Sequence, residues 1–231
     1  PIAAELTFNL DTVAPTAPTV SLAGTITSPL STDEVHRTAG VVTVRGEAGA
    51  EISVTFDGVL DGLVKTVTGT GFNQQIALST AEVDQLGDGA VNITASQTDP
   101  AGNTGVTSAV LSVEIDTVDP TIVSRVLDVP AGFYNEGDVI PVIITLSEAA
   151  IPGQQVTVVL NVLDASENPV KVTATVGSGA DANKALGTYT VAAGHNTDDL
   201  TIDSVLNDAP TNFVTDVAGN AFGTTETTSA Q

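Results

Sequence analysis

Short runs of alternating apolar and polar residues recur along this 231-residue chain. Successive side chains of a strand point to opposite faces, so alternation predicts strands with one face buried. In the first half, residues 18–23, 40–45, 51–56, 63–68, 73–79, 90–97 and 106–115 read as strands. In the second half, residues 121–128, 138–146, 155–163, 170–176, 185–192 and 200–206 do so, with a final pair expected around 216–220. Turn residues separate these runs every 8–12 positions or so, which suits β-sandwiches. Residues 80–86 break the rule: their spacing predicts one helical turn, capped by Thr80, with Val83 and Leu86 facing inward.

The landmarks between the strands repeat. Leu6-Thr7-Phe8-Asn9-Leu10-Asp11-Thr12-Val13-Ala14-Pro15-Thr16 matches Leu111-Ser112-Val113-Glu114-Ile115-Asp116-Thr117-Val118-Asp119-Pro120-Thr121. The period from Asp11 to Asp116 is 105 residues, an ordinary size for a sandwich. Asp99-Pro100-Ala101-Gly102-Asn103 recurs as Asp216-Val217-Ala218-Gly219-Asn220, and Gly46-Glu47-Ala48 more loosely as Ser147-Glu148-Ala149. The expected organisation is the last strand of a preceding repeat in residues 1–10, one repeat in 11–116 and another in 117–231. The expected fold is all-β: two tandem immunoglobulin-like antiparallel β-sandwiches.

Composition narrows the function. Hydrophobic residues make up 42 % but aromatics only 3 %, so the core must come from Val, Ile, Leu and Ala. There are 28 acidic and 6 basic residues, a net charge of −22. Such a chain repels phosphate backbones and anionic membranes, which argues against nucleic-acid partners. With no Cys, neither disulfides nor thiolate metal sites are available. No apolar run reaches the roughly 20 residues of a membrane span, so direct insertion is not expected. The N-terminus, Pro1-Ile2-Ala3-Ala4-Glu5, lacks the features of an export signal, and the sequence reads as a piece of a longer protein.

The landmarks resemble those of bacterial immunoglobulin-like repeats in giant surface adhesins exported by type I secretion, of the repeats-in-toxin and biofilm kind. The residues that carry the resemblance are the Asp-Thr-Val-x-Pro-Thr linkers, the Asp-x-Ala-Gly-Asn loops, and Tyr134-Asn135-Glu136-Gly137-Asp138 leading to Thr145-Leu146-Ser147-Glu148-Ala149. The resemblance implies a secreted protein of the bacterial cell surface. It further implies extender domains whose junctions are stiffened by Ca²⁺ and whose neighbours are flanking repeats of the same polypeptide.

Strand order gives an independent argument for ion sites. In a seven-strand sandwich, the start of the first strand, the loop after the second and the loop before the last share one end. Those places carry Asp11, Glu47, Asp99 and Asn103 in the first repeat, and Asp116, Asp119, Glu148, Asp216 and Asn220 in the second. These nine are the candidate metal ligands, since hard Ca²⁺ takes about 6–8 oxygens. The competing reading is that Asp in these loops caps its own backbone and that Gly supplies a positive φ. Glu82, Asp84 and Asp88, at the other pole of the first repeat, are expected to face the next linker.

Residues 57–62 read as a hairpin turn rather than an ion-binding loop, and His36 and His195 as isolated surface residues. No nucleophile elbow, phosphate loop or dinucleotide fingerprint occurs, so no enzyme is expected. Two functions compete: a monomeric extender that projects a distal adhesive domain, and a module that binds a sugar, peptide or partner domain. The second would use residues 178–183 and 196–199, with Phe133, Tyr134 and Tyr189 as the aromatics at hand. Of these, Phe133 and Tyr134 are expected as core or edge-packing residues.

Overall fold

The computed structural model describes residues 9–208, 212–223 and 226–227. The expected last strand of a preceding repeat falls mostly outside them; Asn9 and Leu10 lie in no strand. The chain divides into two compact units, Pro1–Thr117 and Val118–Gln231.

Unit 1 contains β1 (Thr19–Leu22), α1 (Thr32–Val35), β2 (Val42–Arg45), β3 (Glu51–Asp57), β4 (Gly62–Thr68), β5 (Gln74–Ile76), α2 (Thr80–Leu86), β6 (Gly89–Thr98) and β7 (Leu111–Ile115). The strands form two antiparallel sheets, ordered β1-β2-β5 and β4-β3-β6-β7. Alternation is strict where it matters: Ile52, Val54 and Phe56 of β3 are buried, while Glu51, Thr55 and Asp57 are exposed. Inner-face residues of both sheets join one core with Phe56, Ile52, Ile93 and Ile115, closed at one side by Val83 and Leu86. The β3–β4 hairpin turns through residues 58–61, with Asp57 opposite Gly62.

The helical segments differ from expectation in their caps. Ser79, not Thr80, is the N-cap of α2: its hydroxyl accepts from the Glu82 N–H while the Glu82 carboxylate accepts from the Ser79 N–H at 2.7 Å. That reciprocal capping box takes the serine one position earlier because Glu must stand three residues on. The Lys65 ammonium reaches the same carboxylate at 2.8 Å. Its hydrogen bond, with those from Ser79, holds Glu82 below the ordinary carboxylate value. Helix α1 was not expected, yet Ser31 and Glu34 form the same box. The Ser-x-x-Glu spacing is its sequence signal.

Unit 2 contains β8 (Ile122–Leu127), β9 (Val139–Leu146), β10 (Gln155–Leu163), β11 (Pro169–Val176), β12 (Lys184–Thr190), β13 (Ile202–Leu206) and β14 (Glu226–Thr227). All seven belong to one sheet, ordered β14-β13-β10-β11-β12-β9-β8. Strand β8 also approaches β13, so the sheet curls around a core of Ile140, Ile144, Leu146, Leu160 and their neighbours. Register shifts after Val159, on both sides of β10, account for the curl, because a bulge bends a strand and increases its twist. Unit 2 thus reaches a closed core with one rolled sheet where unit 1 uses two. Buried Asn207 helps close it, donating to the Val214 and Phe222 carbonyls and accepting from the Val214 N–H at 2.6 Å. Among the described residues no helix is long and apolar enough to cross a membrane.

The cap assignment is testable. Replacing Ser79 by Ala is expected to lower the stability of unit 1 by about 1 kcal/mol, and replacing Thr80 by Ala to change it little. Urea unfolding of the two variants checks this.

Candidate metal centre

The candidate ligands lie in loops whose backbone the sequence sets closely. Asp99 begins the loop after β6: its Oδ1 accepts from the Ala101 and Asn103 N–H groups, both at 2.9 Å, and its Oδ2 from the Asn103 side-chain amide at 2.8 Å. The Asp99 N–H donates to the Asn103 carbonyl, closing the loop. Gly102 stands at φ 93°, a conformation that costs an L-residue about 1–2 kcal/mol. Asp216 and Asn220 form a similar loop around Gly219 at φ 108°, in which Asp216 Oδ1 accepts from the Gly219 and Asn220 N–H groups and Oδ2 from the Asn220 side-chain amide. These bonds hold Asp99 below the ordinary carboxylate value, the Asn103 side chain being the largest cause.

A third copy went unread in the sequence. Asp164-Ala165-Ser166-Glu167-Asn168, between β10 and β11, makes the same bonds to the Ser166 and Asn168 N–H groups. Its backbone closes identically, from the Asp164 N–H to the Asn168 carbonyl. Glu167 fills the glycine position at φ 62°, which hides the motif from a search for Ala-Gly-Asn. Asp164 too is held below its ordinary value, chiefly by the Asn168 and Ser166 N–H groups.

The nine candidate ligands do not all gather. Asp11 is exposed; its Oδ1 accepts from the Val13 N–H, and it meets Asn103 through its backbone carbonyl, at 3.2 Å. Glu47 is exposed and is held through its N–H, which donates to Gln97 Oε1 at 2.8 Å. Gln97, only 2 % exposed, also donates to the Thr16 carbonyl at 2.6 Å. It staples linker to loop, and a glutamine inside a strand gave no sequence signal of this. Asp119 is exposed. Asp88, expected to face the next linker, accepts at one oxygen from the Thr117 N–H and hydroxyl, at 2.6 and 2.9 Å.

Three of the nine do converge. The linker residue Asp116, Glu148 after β9, and Asp216 each offer a carboxylate oxygen, and the three oxygens lie within 4.8 Å of one another. This is the one such group of three or more among the described residues. Asp216, 1 % exposed, is fixed by its loop bonds, and an antiparallel bridge pairs it with Ala150, two residues beyond Glu148. A carboxylate oxygen carries two lone pairs, so Asp216 can hold its loop and still serve an ion. Three hard oxygens that close together fit a Ca²⁺ shell, which would offset their repulsion.

Both histidines depart from the surface reading. His36 is half-buried with Nδ1 2.8 Å from the Thr32 carbonyl, and His195 packs beside Tyr189 with ring centroids 5.8 Å apart. Phe133 and Tyr134, expected in the core or at an edge, instead occupy the β8–β9 loop, with Phe133 fully exposed.

No family model and no curated protein matches the chain. Among solved structures it is similar to a tetra-tandem repeat in the extending region of a large adhesion protein, at 19 % identity over 84 % of this chain, with a TM-score of 0.31. It is also similar to a 1.5-MDa bacterial ice-binding adhesin involved in host cell surface retention, at 16 % identity over 78 % of this chain, with a TM-score of 0.35. This chain spans 45 % and 65 % of those two chains.

Three outcomes are expected. Glu167→Gly should raise stability by about 0.5–1 kcal/mol in chemical denaturation, and Gly102→Ala should lower it by about 1–2 kcal/mol. Asp99 and Asp164 titrate below their unfolded values, so their stabilisation is present above about pH 4 and is lost as pH falls through the folded values. Thermal midpoints from pH 6 downward should therefore fall on acidification, and less so in Asp99→Asn.

Proposed function

We propose that this chain is a calcium-rigidified extender segment of a bacterial cell-surface adhesin, built from two immunoglobulin-like repeats that project a distal adhesive domain. The observation that carries the reading is the meeting of Asp116, Glu148 and Asp216 within 4.8 Å. Asp116 belongs to the linker, and Glu148 and Asp216 belong to the repeat that follows it. An ion held by all three restrains the linker, because it offsets the repulsion between the three carboxylates. Pro120, buried, shortens the freedom of the same segment. The likeness of the linkers and Asp-x-Ala-Gly-Asn loops to those of secreted adhesin repeats supports the cell-surface setting, with flanking repeats of the same polypeptide as partners. The role is mechanical, and the net charge of −22 keeps such a thread soluble.

Small-angle scattering in calcium tests this. Asp116→Asn is expected to broaden the distribution of interdomain distances relative to wild type, and EDTA should do the same to wild type. Equal flexibility of Asp116→Asn and wild type in calcium would remove the ion from the linker.

A further inference from the structure

Loops at one end of the unit 2 sheet enclose a cavity of about 310 Å³, at the small end of the range of ligand sites, roughly 300–1,000 Å³. Its floor is apolar, with Ile140 and Val162, and its walls carry Phe133, Tyr134, Tyr189, His195, Asn196 and Asp198. Tyr134 is fixed by its hydroxyl, which donates to the Pro130 carbonyl at 2.5 Å. Phe133, beside it, is 103 % exposed. Exposure alone does not single it out, since Phe72 is 75 % exposed; what distinguishes Phe133 is a polar-walled cavity at its side.

The polar wall has a defined sense. The Ala192 N–H points at His195 Nδ1 at 3.4 Å, and a backbone N–H can only donate, so Nδ1 is an acceptor. The Tyr189 hydroxyl, 2.8 Å from the same nitrogen, donates to it as well. Burial pushes the Tyr189 phenol above its ordinary value, so it keeps that proton at neutral pH. This network assigns the imidazole proton to Nε2 and makes that nitrogen a donor. Asn196 brings both a donor and an acceptor, and Asp198 an acceptor.

No Lys or Arg lines the cavity, and the acidic chain repels anions. A cation would meet the imidazole N–H on the same wall as Asp198. A neutral ring bearing several hydroxyls answers both donors and acceptors. Its C–H face, with partial positive hydrogens, suits the negative face of an aromatic ring.

We propose that this cavity binds a neutral pyranose, with the Phe133 ring as its stacking platform and Asn196, Asp198 and His195 Nε2 as its polar partners. The site is built from unit 2 loops alone and does not depend on the calcium-held linker. Both test positions, Phe133 and Asp198, are exposed, so their substitution leaves the core intact.

The test is a nuclear magnetic resonance titration of the whole chain in calcium. The probes are the methyl glycosides of glucose, mannose, galactose, fucose and N-acetylglucosamine, with tetramethylammonium as the cation control. At least one glycoside is expected to give saturating shifts confined to the 132–134 and 189–200 loops, with a Kd of about 1–10 mM. Phe133→Ala and Asp198→Asn should each weaken it about tenfold or more at an unchanged unfolding midpoint. Linear, unsaturated shifts with every glycoside would overturn the proposal. So would saturation by tetramethylammonium alone, or a Phe133→Ala affinity equal to wild type.

Discussion

Carboxylates outnumber cationic side chains by 28 to 6, so ion pairing cannot satisfy them, and the loops are built around that constraint. The solution repeated most often is backbone capture. Asp99, Asp164 and Asp216 each turn the chain through five residues, with one carboxylate oxygen accepting from two backbone N–H groups of the same loop. Capture closes these loops through hydrogen bonds, without a lysine or arginine. It also aims the buried carboxylate of Asp216 at the place where Glu148 and the linker residue Asp116 arrive. There, one side chain holds its own turn and still offers an oxygen to the cluster.

The same frugality shapes the cores. With 3 % aromatics, packing falls to Val, Ile and Leu on alternating strand positions, and that alternation is what made the strands legible. Residues 155–163 read correctly as one strand because Val156, Val158, Leu160 and Val162 all turn inward. Which sheet a strand joins was not legible. Pairing depends on register and on where a bulge bends the backbone; Val159, buried out of phase between Val158 and Leu160, marks the bulge but not the partner strand.

The site was legible in part. Asp116, Glu148 and Asp216 stood out because their landmarks recur in order along the chain, and the structure brings them together. The matching positions Asp11 and Glu47 stood out for the same reason, but Asp11 meets Asn103 and Glu47 meets Gln97 through backbone atoms, a choice that residue identity does not encode. The third Asp loop was hidden by Glu167, since a left-handed position without glycine breaks the motif while keeping its hydrogen bonds. Phe133 was misplaced for a different reason: a hydrophobic residue in a loop carries no periodicity to say which way it faces.

Whether calcium completes the carboxylate cluster is decided by thermal unfolding of the whole chain in EDTA and then in millimolar CaCl₂. A site filled at 100 times its Kd adds about 2.7 kcal/mol, and for units of this size each kcal/mol raises the midpoint by several degrees. A rise of that order is expected, specific to Ca²⁺ over an equal concentration of Mg²⁺ and reduced in Asp116→Asn. An unchanged midpoint would leave Asp116, Glu148 and Asp216 as turn and surface residues, and the linker without its ion.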